Sequence, residues 1–189
     1  PAGVIQLGLV IEIIAVALVA VLMPVGLSVW WQLIPMAAYG LGLGFASAQL
    51  TSVVLSEVPI MQSGEGSATQ STVRQLGTAV GSAISGASLA MAVNGTLPAR
   101  LESLGLPAKV GDGLAQAVSG SAGGVIGVFR SGDGPAARFG DEAPKIADAM
   151  TSGFIEGGQW TLLVAGIMLF IGLLASVAVR RAASSHNVR

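Results

Sequence analysis

The 189-residue sequence contains no cysteine, a single histidine and very little charge. Each shortage closes off a class of function. Without cysteine there is no disulfide, no iron–sulfur cluster and no thiolate zinc site. With His186 as the only imidazole, close to the C-terminal end, there is no serine–histidine pair for nucleophilic catalysis and no histidine cluster for a metal. Charged residues make up 10% of the chain, against roughly 25% in an average soluble domain. Nine Lys and Arg against ten Asp and Glu leave a formal net charge of -1 and no basic stripe to neutralise phosphates, which argues against a nucleic-acid partner. The residues read as a non-enzyme without metal or cofactor.

What is abundant is apolar. Hydrophobic residues make up 52% of the chain and gather in long runs, and runs of about 18 or more with few charges are what it takes to cross a hydrocarbon core of roughly 30 Å. The expected fold is an all-α membrane protein. Residues 1–93 are expected to hold three transmembrane helices, at about 4–23, 30–54 and 68–93, the first ended by Pro24 and Gly26 and the third opened by a capping box of Ser67 and Gln70. Residues 94–158 read as a long extracytoplasmic loop. Residues 159–189 hold the last transmembrane helix, to about Val179, and a basic cytoplasmic tail, the alternative being an earlier start of that helix as an amphipathic stretch near Ile146. The chain opens on Pro1-Ala2-Gly3 with neither an initiator methionine nor a basic leader, and is expected to be a piece of a longer protein.

Arg180, Arg181 and Arg189 follow the last span and place the C-terminus in the cytoplasm by the positive-inside rule. Counting back puts the 94–158 segment outside, the Ser56–Gly66 turn inside and the Pro24–Ser28 turn outside, with Trp30, Trp31 and Trp160 near the outer interface. The inner turn carries Glu57 and Glu65 and no positive charge. The polar 94–158 segment reads as a solvated connector. SGSAGG at 119–124 and RSGDGPAARFGDEAP at 130–144 look flexible, PARLESLG and KIADAM are candidates for short helices on the membrane surface, and Asn94-Gly95 is a turn signal or part of a glycosylation sequon.

GLGLGF at 40–45 is not a dinucleotide fingerprint, because its spacing is wrong and it lies inside an apolar helix. Its small residues instead suit close helix packing: Gly40, Gly44 and Ala48 recur every four residues, as do Gly42 and Ala46, and the third span repeats the device with Gly77 and Gly81. Two charges remain inside the apolar runs. Glu12 falls near the middle of the first span, where a carboxylate is costly and is by default a proton or cation site, the alternative being a structural lock on a basic partner. Arg74, about two turns into the third span, is placed to snorkel towards the cytoplasm, to pair with an acid or to gate the inner mouth.

The run SEVPIMQSGEGSATQSTVRQLGTAVGSAISGASLA, preceded by YGLGLGFASAQLTSVVLSEVP, resembles the last third of the fourteen-helix drug/proton antiporters of the major facilitator superfamily. The elements that carry the likeness are Gly40, Gly42 and Gly44, then Val58 and Pro59, then Arg74, Gln75, Leu76, Gly77 and Gly81, with a long external loop and a short basic tail after them. The resemblance implies the last four helices of a proton-driven exporter of hydrophobic or cationic small molecules, multi-pass in the inner (plasma) membrane. Its partners would be the small-molecule substrate, protons, the lipid bilayer and the missing N-terminal part of the same transporter. Related branches move lipids, siderophores or antibiotic products, so the motif does not specify the substrate. The family's proton-relay and antiporter motifs belong to the N-terminal half. The alternative is a membrane-embedded scaffold whose small-residue helices only assemble partners.

Overall fold

A computed structural model of the chain describes residues 2–23, 29–56, 58–132 and 134–186. Pro24 and Gly26, with the rest of the first turn, and Glu57 and Arg189 lie outside them. The described residues are 94% helical, with no strand among them. Its helices are α1 (Ala2–Leu22), α2 (Val29–Ser56), α3 (Ser63–Ser103), α4 (Ala108–Gly120), α5 (Gly124–Ser131) and α6 (Ala143–His186), with 3-10 turns at Ile60–Gln62 and Gly134–Glu142. Among the described residues four helices are long and apolar enough to cross a membrane. Trp30, Leu41, Ile171 and many other large apolar side chains on them are exposed, a surface that water penalises and acyl chains match.

α1 and α2 follow the expected spans to within two residues at each end. α3 and α6 do not. They have 41 and 44 residues, about 60 Å and 66 Å at roughly 1.5 Å per residue, which is twice the thickness of a hydrocarbon core. α3 begins at Ser63 because the 3-10 turn feeds directly into it, so Ser67 lies inside the helix rather than at its cap. Ser63 Oγ donates to the Ile60 carbonyl at 2.9 Å, and Glu65 in the first turn complements the helix dipole. At the other end α3 runs straight through Asn94-Gly95 and Pro98, with Thr96 Oγ1 donating to the Ala92 carbonyl at 3.0 Å, so Asn94 marks no turn. The helix stops at Gly105, whose φ of 87° lets its amide reach Glu102 O at 2.9 Å and the Leu106 amide reach Leu101 O at 3.2 Å.

The chain divides into two compact units, Pro1–Ala83 with Leu162–Arg189, and Ile84–Thr161. The second corrects the expectation of a solvated connector, because it has a hydrophobic core of its own. Val93, Leu97 and Leu101 from α3 meet Ala143, Ile146, Ala147 and Met150 from α6, with Ala115 and Val118 of α4 and Phe129 of α5 completing it. The PARLES and KIADAM stretches are turns of α3 and α6, not separate surface helices. Gly153 and Gly157 let the two helices close: a methyl on Gly157 would come within 2.7 Å of Val93 Cγ2, and one on Gly153 within 3.2 Å of Leu97 Cδ1. SGSAGG forms the end of α4 and a turn in which Gly123, at φ 84°, lies against the Phe154 ring. Arg100 is paired with Glu156, and Arg130 lies 3.8 Å from Asp148 and donates to Thr151 Oγ1 at 3.3 Å.

Candidate functional site

In the first unit, α1 turns one face to α2. Ile5, Gly8, Glu12 and Ala15 recur at helical spacing and are all buried, and α2 answers with buried Pro35 and Gly42 one helical heptad apart. The contact is backbone against backbone. A methyl built on Gly8 would lie 2.7 Å from the Gly42 carbonyl oxygen and 2.8 Å from the Ala46 amide nitrogen. One built on Gly42 would lie 2.7 Å from the Gly8 carbonyl oxygen and 2.9 Å from Glu12 Cγ. Small residues are what permit such an approach in lipid, where no hydrophobic effect draws helices together. Pro35 removes an amide from the α2 ladder, a loss that packed transmembrane helices tolerate.

This crossing fixes Glu12. The residue is 3% exposed, and its Oε1 has no hydrogen-bond partner among the described residues. The same is true of the buried Gln6 Nε2. Gln6 Oε1, by contrast, accepts a hydrogen bond from Arg180 Nη1 at 2.7 Å, which ties the start of α1 to the end of α6.

Between α1, α2 and α6 lies a cavity of 620 Å3. Its wall is mainly aliphatic, from residues such as Leu9, Leu43, Leu50 and Val179, with Glu12, Ser47, Ser176 and Arg180 as its polar points. The chamber suits an apolar body of drug size, and its one carboxylate can take up a proton or face a cation.

The other residues picked from the sequence are not brought to this chamber. Arg74 is exposed on α3 and lines a separate, smaller pocket; Gln75 is exposed beside it. Gly40, Gly44, Gly77 and Gly81 have no heavy atom of another helix within 4 Å of where a Cβ would stand, so the close packing expected of them is not made among the described residues. Gly42 and Ala46, the other expected pair, lie on nearly the opposite side of α2 and do make it, with Gly8 as a partner that sequence reasoning missed. The available signal was Gly8 four residues ahead of Glu12, which puts a small residue and the buried acid on one face. Gln6, a polar interruption of the first run, gave a second signal, but its partner Arg180 lies 174 residues away.

Comparison with family models, with curated proteins and with solved structures finds no match to this chain.

Proposed function

We propose that the chain carries the last four spanning helices of a proton-driven exporter of the fourteen-helix drug/proton antiporter type. It would move hydrophobic or cationic small molecules outward as a proton moves inward, by alternating access between two helical halves. The reading rests on one observation above the others: Glu12 is buried at a helix crossing, with an oxygen left without a partner, on the wall of a mainly aliphatic cavity. A carboxylate so placed is expensive to keep and useful for exchanging a proton against a cation. The Arg74-Gln75-Leu76-Gly77 run and the small-residue faces of α2 and α3 support the same reading, the latter as surfaces for the rest of the transporter. The C-terminal end would be cytoplasmic and the Ile84–Thr161 unit extracytoplasmic.

The test is Glu12→Gln in the full transporter, reconstituted in vesicles and followed with a fluorescent cationic substrate and a neutral one. Gln keeps the shape and cannot ionise, so cation efflux should fall by about tenfold or more and lose its pH dependence, since a neutral amide there can neither exchange a proton nor attract a cation. Unchanged efflux of both substrates at every pH would remove Glu12 from the coupling machinery.

The alternative of a membrane-embedded scaffold draws on the open glycine faces at Gly40, Gly44, Gly77 and Gly81, which suit a partner helix. It leaves Glu12 without a task, and unchanged efflux in the test above is the outcome that favours it.

A further inference from the structure

α2 and α3 enclose a second pocket, of 180 Å3, lined by Thr51, Ser67, Gln70, Ser71 and Arg74. On α3 the last four recur at spacings of three and four residues, which puts them on one side of the helix. Thr51 and Gln70 are already occupied: Gln70 Nε2 donates to Thr51 Oγ1 at 3.0 Å, and Thr51 Oγ1 donates to the Ser47 carbonyl at 3.2 Å. That pair holds the two walls together. The Ser67 and Ser71 hydroxyls and the Arg74 guanidinium make no side-chain hydrogen bond to any described residue, which leaves a cation and two hydroxyls as donors around an empty space of that volume.

Arg74 is also the only Lys or Arg in the first 99 residues, and no acidic side chain among the described residues pairs with it. Glu12 lines the other cavity, and Glu65 is exposed near the start of α3. A guanidinium at the edge of a bilayer is costly without a counter-ion. The surroundings indicate where that anion comes from. Val73, Leu76 and Val80 run exposed along α3 beside Arg74, and Ile60 and Met61, in the turn that leads into α3, are 91% and 95% exposed. These are contacts for acyl chains, next to donors for a headgroup.

We propose that this pocket binds the phosphate of an anionic phospholipid, with Arg74 as its cationic ligand and Ser67 and Ser71 as hydroxyl donors, in the leaflet on the side of the Ile60–Gln62 turn. Basic pockets between transmembrane helices select anionic headgroups in this way, because charge-assisted hydrogen bonds from the guanidinium fork are added to the surface electrostatics. Such a site needs α2 and α3 in a bilayer and nothing from the transport reading.

The experiment is native mass spectrometry of the full chain released from detergent, with phosphatidylglycerol, phosphatidylcholine or inorganic phosphate supplied in turn. Wild type should retain one phosphatidylglycerol. Arg74→Gln should weaken that retention by about tenfold or more, Ser67→Ala with Ser71→Ala by a smaller factor, and Arg74→Lys should fall between, since a lysine keeps the charge and loses the fork. Helicity measured by circular dichroism identifies any variant that has not folded, and the paired serine variant, which keeps the charge, then carries the test. Equal retention of phosphatidylglycerol by wild type and Arg74→Gln would overturn the site. Equal retention of phosphatidylcholine would overturn the preference for an anionic headgroup, and displacement of bound lipid by inorganic phosphate would show a site for free anions instead.

Discussion

Gly8 and Gly42 face each other so closely that a methyl group added to either would stand 2.7 Å from the other's carbonyl oxygen. Neither helix can rotate away without exposing Glu12, which sits one turn further along α1 on the same face. The crossing and the buried acid are one structural unit, and substitutions there should differ sharply from those at glycines of identical spacing.

Gly8→Leu or Gly42→Leu should separate α1 from α2 and destabilise the chain by about 1–3 kcal/mol or more, because the clash is with backbone that cannot yield. Gly40→Leu and Gly77→Leu meet open space in this chain and should leave it within about 0.5 kcal/mol of wild type, as surface substitutions do. Thermal unfolding in detergent, followed by circular dichroism, separates the two pairs. Equal losses at all four positions would show that Gly8 and Gly42 are not the contact.

Glu12→Met removes a buried, partly unpartnered carboxylate and keeps its volume. It should match or exceed wild-type stability, by up to about 1–3 kcal/mol, the desolvation cost of an unsatisfied polar group. The same variant should abolish cation efflux in the full transporter. A stability loss of that size in its place would make Glu12 a structural lock rather than a working acid.

Topology is accessible to single cysteines because the chain has none of its own. Met61 and Ser121 are both exposed and lie on either side of the apolar run of α3. Met61→Cys and Ser121→Cys should therefore react with an impermeant maleimide from opposite faces of a sealed vesicle. Reaction of both from the same face is incompatible with α3 crossing the bilayer.

The Ile84–Thr161 unit should behave as folded protein rather than as a linker. Phe129→Ala and Leu97→Ala each empty part of its core and should cost about 3–5 and 2–5 kcal/mol respectively within the unit. Amide exchange from α4 and α5 should accelerate accordingly in both variants. Wild-type α4 and α5 amides that already exchange at the rate of an open chain would contradict a packed unit.

Much of the fold was legible without coordinates. Apolar runs near twenty residues long with almost no charge have one stable form in lipid, the helix, so the cores of α1, α2, α3 and α6 follow from composition and length alone. Glu12 was legible for the same reason: one carboxylate in the middle of such a run stands out whatever surrounds it. Tertiary structure alone decided which small residues touch. Gly40, Gly42 and Gly44 look equivalent along the chain, and only the rotation of α2 that lets Gly42 seat against Gly8 separates them. It also decided that residues 94–158 are packed helix. Their large buried side chains, Leu97, Leu101, Val118, Phe129, Ile146 and Met150, are spread over four helices with small residues such as Ala115, Ala143 and Ala147 between them, so no single stretch shows a strong apolar face until the helices meet. The stripe of Ser67, Gln70, Ser71 and Arg74 can be read from helical spacing, but Thr51, which closes the pocket around it, comes from another helix and is placed there only by the pairing of α2 with α3. Local periodicity carries what one helix does by itself; which faces meet depends on backbone approach distances that no single helix encodes.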